Sequence, residues 1–196
     1  MSLAEGLHIA CGKYGTPDID AVRELLKMED INVNKKDVHG WTALHRSCAS
    51  GNADIVKVLL SDERVKVNVA DGWGSGPFFF ACSNGHTKVV ELMVHDPRVD
   101  INKGTSSGWS PLIVASHFGQ LEVIQWLIES ERELHIDSET TNGKTAIDFA
   151  KESNHPLVVQ LLQDFKKDIL KTRFEVRRSL GLGGIYFFIY LFIFLN

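Results

Sequence analysis

The 196-residue sequence predicts an all-α solenoid, in which short helix pairs stack side by side and tight turns join them. Three observations predict it. Residues recur at a step of 34: Cys48 and Gly51 return as Cys82 and Gly85, Gly40 as Gly74 and Gly108, and Gly85 as Gly119. A fixed period of that length marks units that cannot bury an apolar face alone and so must stack on their neighbours. Each unit also carries an apolar run at helical spacing: Ile55, Val56, Leu59 and Leu60, then Val89, Val90 and Met93, then Val123, Ile124, Leu127 and Ile128. Between the runs lies turn chemistry, with Asp folding back on its own backbone and Gly tolerating positive φ.

The elements follow in order. The first unit, residues 3–36, has Leu7-His8-Ile9-Ala10-Cys11 and then a longer connection through Pro17. The second, 37–70, opens Asp37-Val38-His39-Gly40-Trp41-Thr42-Ala43-Leu44-His45. The third, 71–104, opens Asp71-Gly72-Trp73-Gly74-Ser75-Gly76-Pro77-Phe78-Phe79. The fourth, 105–139, opens Thr105-Ser106-Ser107-Gly108-Trp109-Ser110-Pro111-Leu112-Ile113. The fifth, 140–163, arrives one residue late with Thr140-Thr141-Asn142-Gly143-Lys144-Thr145. Thr42, Ser110 and Thr145 suit helix N-caps, with Pro77 and Pro111 at the first helical position. Gly51, Gly85 and Gly119 stop the first helix. A second helix begins near Ala53, Thr87 and Leu121. The unit closes with Val65-Lys66-Val67-Asn68 or Val99-Asp100-Ile101-Asn102.

Turn, helix, tight turn, helix resembles the ankyrin repeat. The resemblance rests on Thr42-Ala43-Leu44-His45, on the Gly51-Asn52 and Gly85-His86 pairs, and on the endings at Asn34, Asn68 and Asn102. It covers residues 1–163 and implies an ankyrin-type array of four to five repeats with short β-hairpin tips. It also implies that tips and first helices line a shared concave groove that binds a protein partner, and that His45 has a structural role at the turn and helix start. The residues so placed are Val38, His39, Trp41, Ser50, Trp73, Ser75, Asn84, Ser107, Trp109, His117 and Phe118. Three tryptophans at successive tips are expected either to anchor a partner, since Trp supplies large area with few rotors, or to cover the next turn. On the first reading, Trp41→Ala with Trp109→Ala weakens binding and leaves melting unchanged. The third unit departs from the pattern: Gly76 replaces the cap residue, and Phe78-Phe79-Phe80 crowd one short helix. Those rings either fill the core or leave Phe79 or Phe80 as an anchor.

Composition narrows the function classes. A formal net charge of -4 argues against nucleic-acid binding. Cys11, Cys48 and Cys82 recur at one repeat position, so they read as small buried thiols of a reducing compartment, cytoplasm or nucleus. Met1-Ser2-Leu3-Ala4-Glu5 lacks the basic start and apolar run of a signal peptide. The eight histidines do not fall at zinc spacing, and Gly72–Gly76 lacks the Gly-Lys-Ser/Thr ending of a phosphate loop. A nucleophile pair using Cys48 or Cys82 is set aside because buried thiols are inert. The sequence therefore predicts no enzyme, no cofactor and no metal.

After residue 156 the pattern changes. Leu157, Val158, Leu161, Leu162, Phe165 and Ile169 predict one capping helix over 156–178, with Lys166, Lys167, Lys171, Arg173, Arg177 and Arg178 at its basic end. The tail, 179–196, has no charge from Leu180 to Leu195. As a helix that run would reach about 24 Å, short of a hydrocarbon core of about 30 Å. Three readings stand: a membrane anchor or shallow attachment, with membrane contact through Leu180–Leu195 and Lys166–Arg178; an end foreign to the mature protein; or a segment buried in the fold or against another copy. In water it is an aggregation hazard, so something must cover it.

Overall fold

The computed structural model describes residues 2–13 and 15–182, and every regular element among them is a helix. The helices fall into pairs: α1 (Leu3–Ala10) with α2 (Ile19–Leu26), α3 (Ala43–Ala49) with α4 (Ala53–Leu60), and α5 (Pro77–Ser83) with α6 (Thr87–Val94). Then come α7 (Pro111–His117) with α8 (Leu121–Glu129), and α9 (Ala146–Glu152) with α10 (Pro156–Lys167). α11 (Ile169–Ser179) follows alone. First helices contact first helices from α1 to α9, making an inner row. Second helices contact second helices from α2 to α10, making an outer row. The continuous core between the rows is built from Leu44, Ile55, Leu59, Met93, Leu112, Ile124, Leu127 and their neighbours.

Caps start the inner helices as the turn chemistry requires. In α3, Thr42 Oγ1 accepts from the His45 N–H while His45 Nδ1 accepts from the Thr42 N–H. In α9, Asp148 does for Thr145 what His45 does for Thr42. Gly76 leaves α5 without a side-chain cap, and Pro77 at its first position offsets that by presetting φ. The short β-hairpin tips expected above take the form of closed turns, with no strand among the described residues. One bond crosses the base of each: Asp37 N–H to Trp41 O at 2.9 Å, Asp71 to Ser75 at 2.8 Å, Thr105 to Trp109 at 3.0 Å, and Thr140 to Lys144 at 3.0 Å.

Side chains tie each pair to the next. The Asn34, Asn68 and Asn102 amides donate to the carbonyls of Arg64, Arg98 and Glu133 at 2.6–2.7 Å, and their oxygens accept from the N–H groups of Lys66, Asp100 and His135. On the inner row, His86, Gln120 and His155 donate to Ala49, Ser83 and His117 carbonyls at 3.0–3.2 Å. These three side chains lie against Gly51, Gly85 and Gly119. A Cβ on Gly51 or Gly119 would come within 2.5 Å of the facing imidazole, so glycine is needed for close approach as well as for positive φ.

The terminal helix differs from expectation. Instead of one helix over 156–178, the chain breaks at Asp168, whose backbone is extended (φ −150°, ψ 92°) and whose carboxylate caps α11 through the Lys171 N–H. α10 completes the outer row, while α11 folds back on α8 and α10 and buries Thr172 and Val176. The break lies inside a continuous apolar stripe, which is why periodicity alone reads through it.

Candidate partner-binding face

The expected site residues all lie on the tips or the inner row, but in different environments. Trp41 is half-buried. Its ring lies 4.7 Å from Phe80 of the next pair and stacks on His45 at 6.2 Å. The Arg46 guanidinium sits 5.7 Å over it and pairs with the Asp37 carboxylate. Burial raises the Asp37 pKa, but N–H bonds from Trp41 and His39 together with Arg46 hold the carboxyl below its ordinary range. Trp109 repeats the arrangement, 4.5 Å from Phe149 and 5.4 Å edge-on to His117. Both indoles therefore cover the following pair. They act as fillers between pairs, the second of the two roles expected of them, so their removal is expected to cost stability.

Trp73 is different. It stands before Gly74, where Trp41 and Trp109 stand after their glycines, and its side chain is 67% exposed. Its backbone is fixed, with its N–H donating to Asp71 Oδ1 at 2.9 Å and its carbonyl accepting from Ser106 N–H at 3.0 Å. The same tip position holds exposed His39 and Ser107. Val38, one residue earlier, is 91% exposed. Ser75 takes the place of Trp41 in the third tip and is 5% exposed, so it is not a contact residue; its carbonyl accepts from His45 Nε2 at 3.2 Å. This corrects its assignment to the surface.

A second row of positions follows the inner helices. Ser50, Asn84 and Phe118 are the C-cap residues of α3, α5 and α7, and all are exposed. Asn84 Nδ2 donates to the Ala49 carbonyl at 2.9 Å. Phe118 places a 52% exposed ring where the second, third and fifth pairs have Ser50, Asn84 and Ser153, and it rests edge-on against His117 at 4.8 Å. His117 is half-buried and its Nδ1 meets Ser153 Oγ at 2.9 Å. Phe78 is buried, whereas Phe79 and Phe80 are half-buried and edge-on to each other at 5.7 Å.

His45 is a structural element. Burial pushes its pKa down to about 4, with the Ser75 carbonyl working against that shift. The neutral ring thus carries its proton on Nε2, bridging the second and third pairs. Burial raises the Cys11 thiol to about 11 and raises Cys48 and Cys82 as well. Cys48 Sγ donates to Met93 Sδ at 3.4 Å. Among the described residues, no three His, Cys, Asp or Glu side chains come close enough to hold a metal. One shallow depression, about 700 Å³, lies on the outer row between α4 and α6, away from this face.

Part of the basic run is engaged within the fold. Arg173 donates to the Ile128 and Arg132 carbonyls at 3.1 Å each, closing the end of α8, and Arg177 pairs with Glu129 at 3.1 Å and Glu131 at 3.0 Å. Lys166 pairs with Asp137. Arg173 and Arg177 were not legible as internal partners because the turn at Asp168 brings them there. No helix among the described residues is long and apolar enough to cross a membrane. Of the uncharged Leu180–Leu195 run, all but Leu180–Leu182 lies outside the described residues.

Comparison with known families adds one match. A model described as ankyrin repeats matches three times, over residues 5–71, 54–140 and 78–173. No curated protein matches the chain significantly.

Proposed function

The chain belongs to the ankyrin repeat family, and on that premise we propose that it is a non-enzymatic adaptor that holds a protein partner against its tips and inner helices. Ankyrin repeats are in general protein–protein interaction modules. The observation that carries the reading for this chain is the exposure of Trp73, where the second, fourth and fifth tips have His39, Ser107 and Asn142, and of Phe118, where the second, third and fifth pairs have Ser50, Asn84 and Ser153. Large rings kept in solvent on a backbone fixed by hydrogen bonds are preorganised anchors, so little ordering entropy is lost on binding. Val38, His39, Ser50, Asn84 and Ser107 surround them with exposed area and hydrogen-bonding groups. Buried thiols suit a reducing compartment, cytoplasm or nucleus. The test is site-specific photocrosslinking in cells, with benzoylphenylalanine replacing Trp73 in one strain and Lys88, on the outer row, in another. Crosslinked protein species are expected from the Trp73 position only; equal crosslinking from both positions overturns the reading.

A second reading, a membrane-tethered adaptor, is favoured by the uncharged run Leu180–Leu195. Carbonate extraction of the full chain beside a chain stopped after Ser179 tests it. Retention of the full chain alone supports the tether; release of both removes it.

A further inference from the structure

The third tip opens on Asp71, a buried carboxylate whose Oδ1 accepts from the Trp73 and Ser75 N–H groups. Beyond it, the tips and inner helices of the third and fourth pairs, Gly72–Thr87 and Gly104–Leu121, contain no Asp, Glu, Lys or Arg. The charges of those pairs sit elsewhere. Lys88, Glu91 and Glu122 are exposed on the outer helices. Several charges bordering the face are engaged within the fold, Arg46 on Asp37, Lys103 on the Asn68 carbonyl at 2.8 Å and Lys144 on Glu152 at 2.8 Å, while Glu139 and Lys151 are exposed toward the fifth pair. What the centre of the face does offer is aromatic area at Trp73 and Phe118, with the exposed polar groups of Asn84 and Ser107 beside it.

From this distribution we infer that the partner segment seated on the face is an uncharged, apolar stretch of polypeptide. The inference rests on the reading of this face as the binding surface. A charged side chain pressed here would lose its water and find no exposed opposite charge on Gly72–Thr87 or Gly104–Leu121. An apolar side chain gains the ring contacts, and the backbone of an extended segment can bond to Asn84 and Ser107. Phosphorylated segments and nucleic acid are disfavoured for the same reason. Without charge complementarity there is also no long-range steering, so affinity barely responds to salt.

The experiment pans a phage-displayed library of short random peptides against the full chain, then measures each recovered peptide on wild type and on Trp73→Ala/Phe118→Ala. The expected peptides are free of Asp, Glu, Lys and Arg in the conserved segment. They lose at least tenfold in affinity on the double variant, and their Kd changes less than about twofold between about 0.05 and 0.5 M salt. Peptides that the double variant loses but that carry charge clusters, or that weaken tenfold or more across that range, overturn the inference and leave the face standing. Peptides that bind the double variant as well as wild type, or a library that yields no binder, overturn both.

Discussion

At the residue scale, one period carries three tryptophans with two different roles. Trp41 and Trp109 follow a tip glycine and face Phe80 and Phe149 of the next pair, whereas the same position in the third tip is Ser75. The partners vary together, ring against ring, and this is legible once positions are compared across units. Proximity to the tip alone does not separate them; what does is that Trp73 falls on the other side of its glycine. Trp41→Ala is expected to cost about 2 kcal/mol from lost ring packing, whereas Trp73→Ala leaves the unfolding midpoint unchanged; urea melts of the two variants check both. His45 gives a pH test. Its folded pKa of about 4 lies below its ordinary 6.5, so its contribution is complete above pH 6.5 and is lost as pH falls toward 4, where the unfolded chain takes up the proton that the folded chain declines. At pH 5 the loss relative to pH 7 is about 2 kcal/mol. His45→Gln should be less stable at pH 7 but should lose less on acidification; an unchanged pH slope would remove His45 from the explanation.

At the element scale, the helix-to-helix turns decide whether a further unit can stack. Gly119 has φ 66° and faces His155, while the matching turn of the last pair has Asn154 at φ 58°. No following His or Gln covers Asn154 among the described residues, so its Cβ is tolerated there. Gly119→Ala is therefore expected to cost about 2 kcal/mol or more, and Asn154→Gly less than about 0.5 kcal/mol. Comparable losses in calorimetry would refute the stacking argument. α11 is the element least legible in sequence, because its start depends on a single Asp168 cap inside an apolar stripe and its role depends on contacts with α8. Glu129 is buried beside Arg177, so Arg177→Met should destabilise by about 3 kcal/mol through the carboxylate left unpaired, and adding Glu129→Leu should recover much of it. A double variant no better than the single would show that the pair contributes little.

At the scale of the whole molecule, the architecture was legible because it is written many times: each turn, cap and apolar run repeats in phase, and local error in one unit is corrected by the next. The candidate face was legible only in part. Its location follows from the period, but which residues remain in solvent depends on contacts between units that a single unit does not encode; hence Ser75 is buried and two of three tryptophans are engaged. The chain thus presents an outer row rich in charge and an inner face whose centre exposes none, the Asp71 carboxylate being buried, with two exposed rings as its most prominent features. On the proposed reading these two rings anchor a protein partner. The measurement that tests it most directly is quantitative affinity capture from cells using the full chain and its Trp73→Ala/Phe118→Ala variant, with thermal melts run alongside. The expected result is an unchanged melting curve and loss, by tenfold or more, of the proteins that wild type enriches. Undiminished enrichment with an unchanged melt would contradict it and move the binding surface off this face.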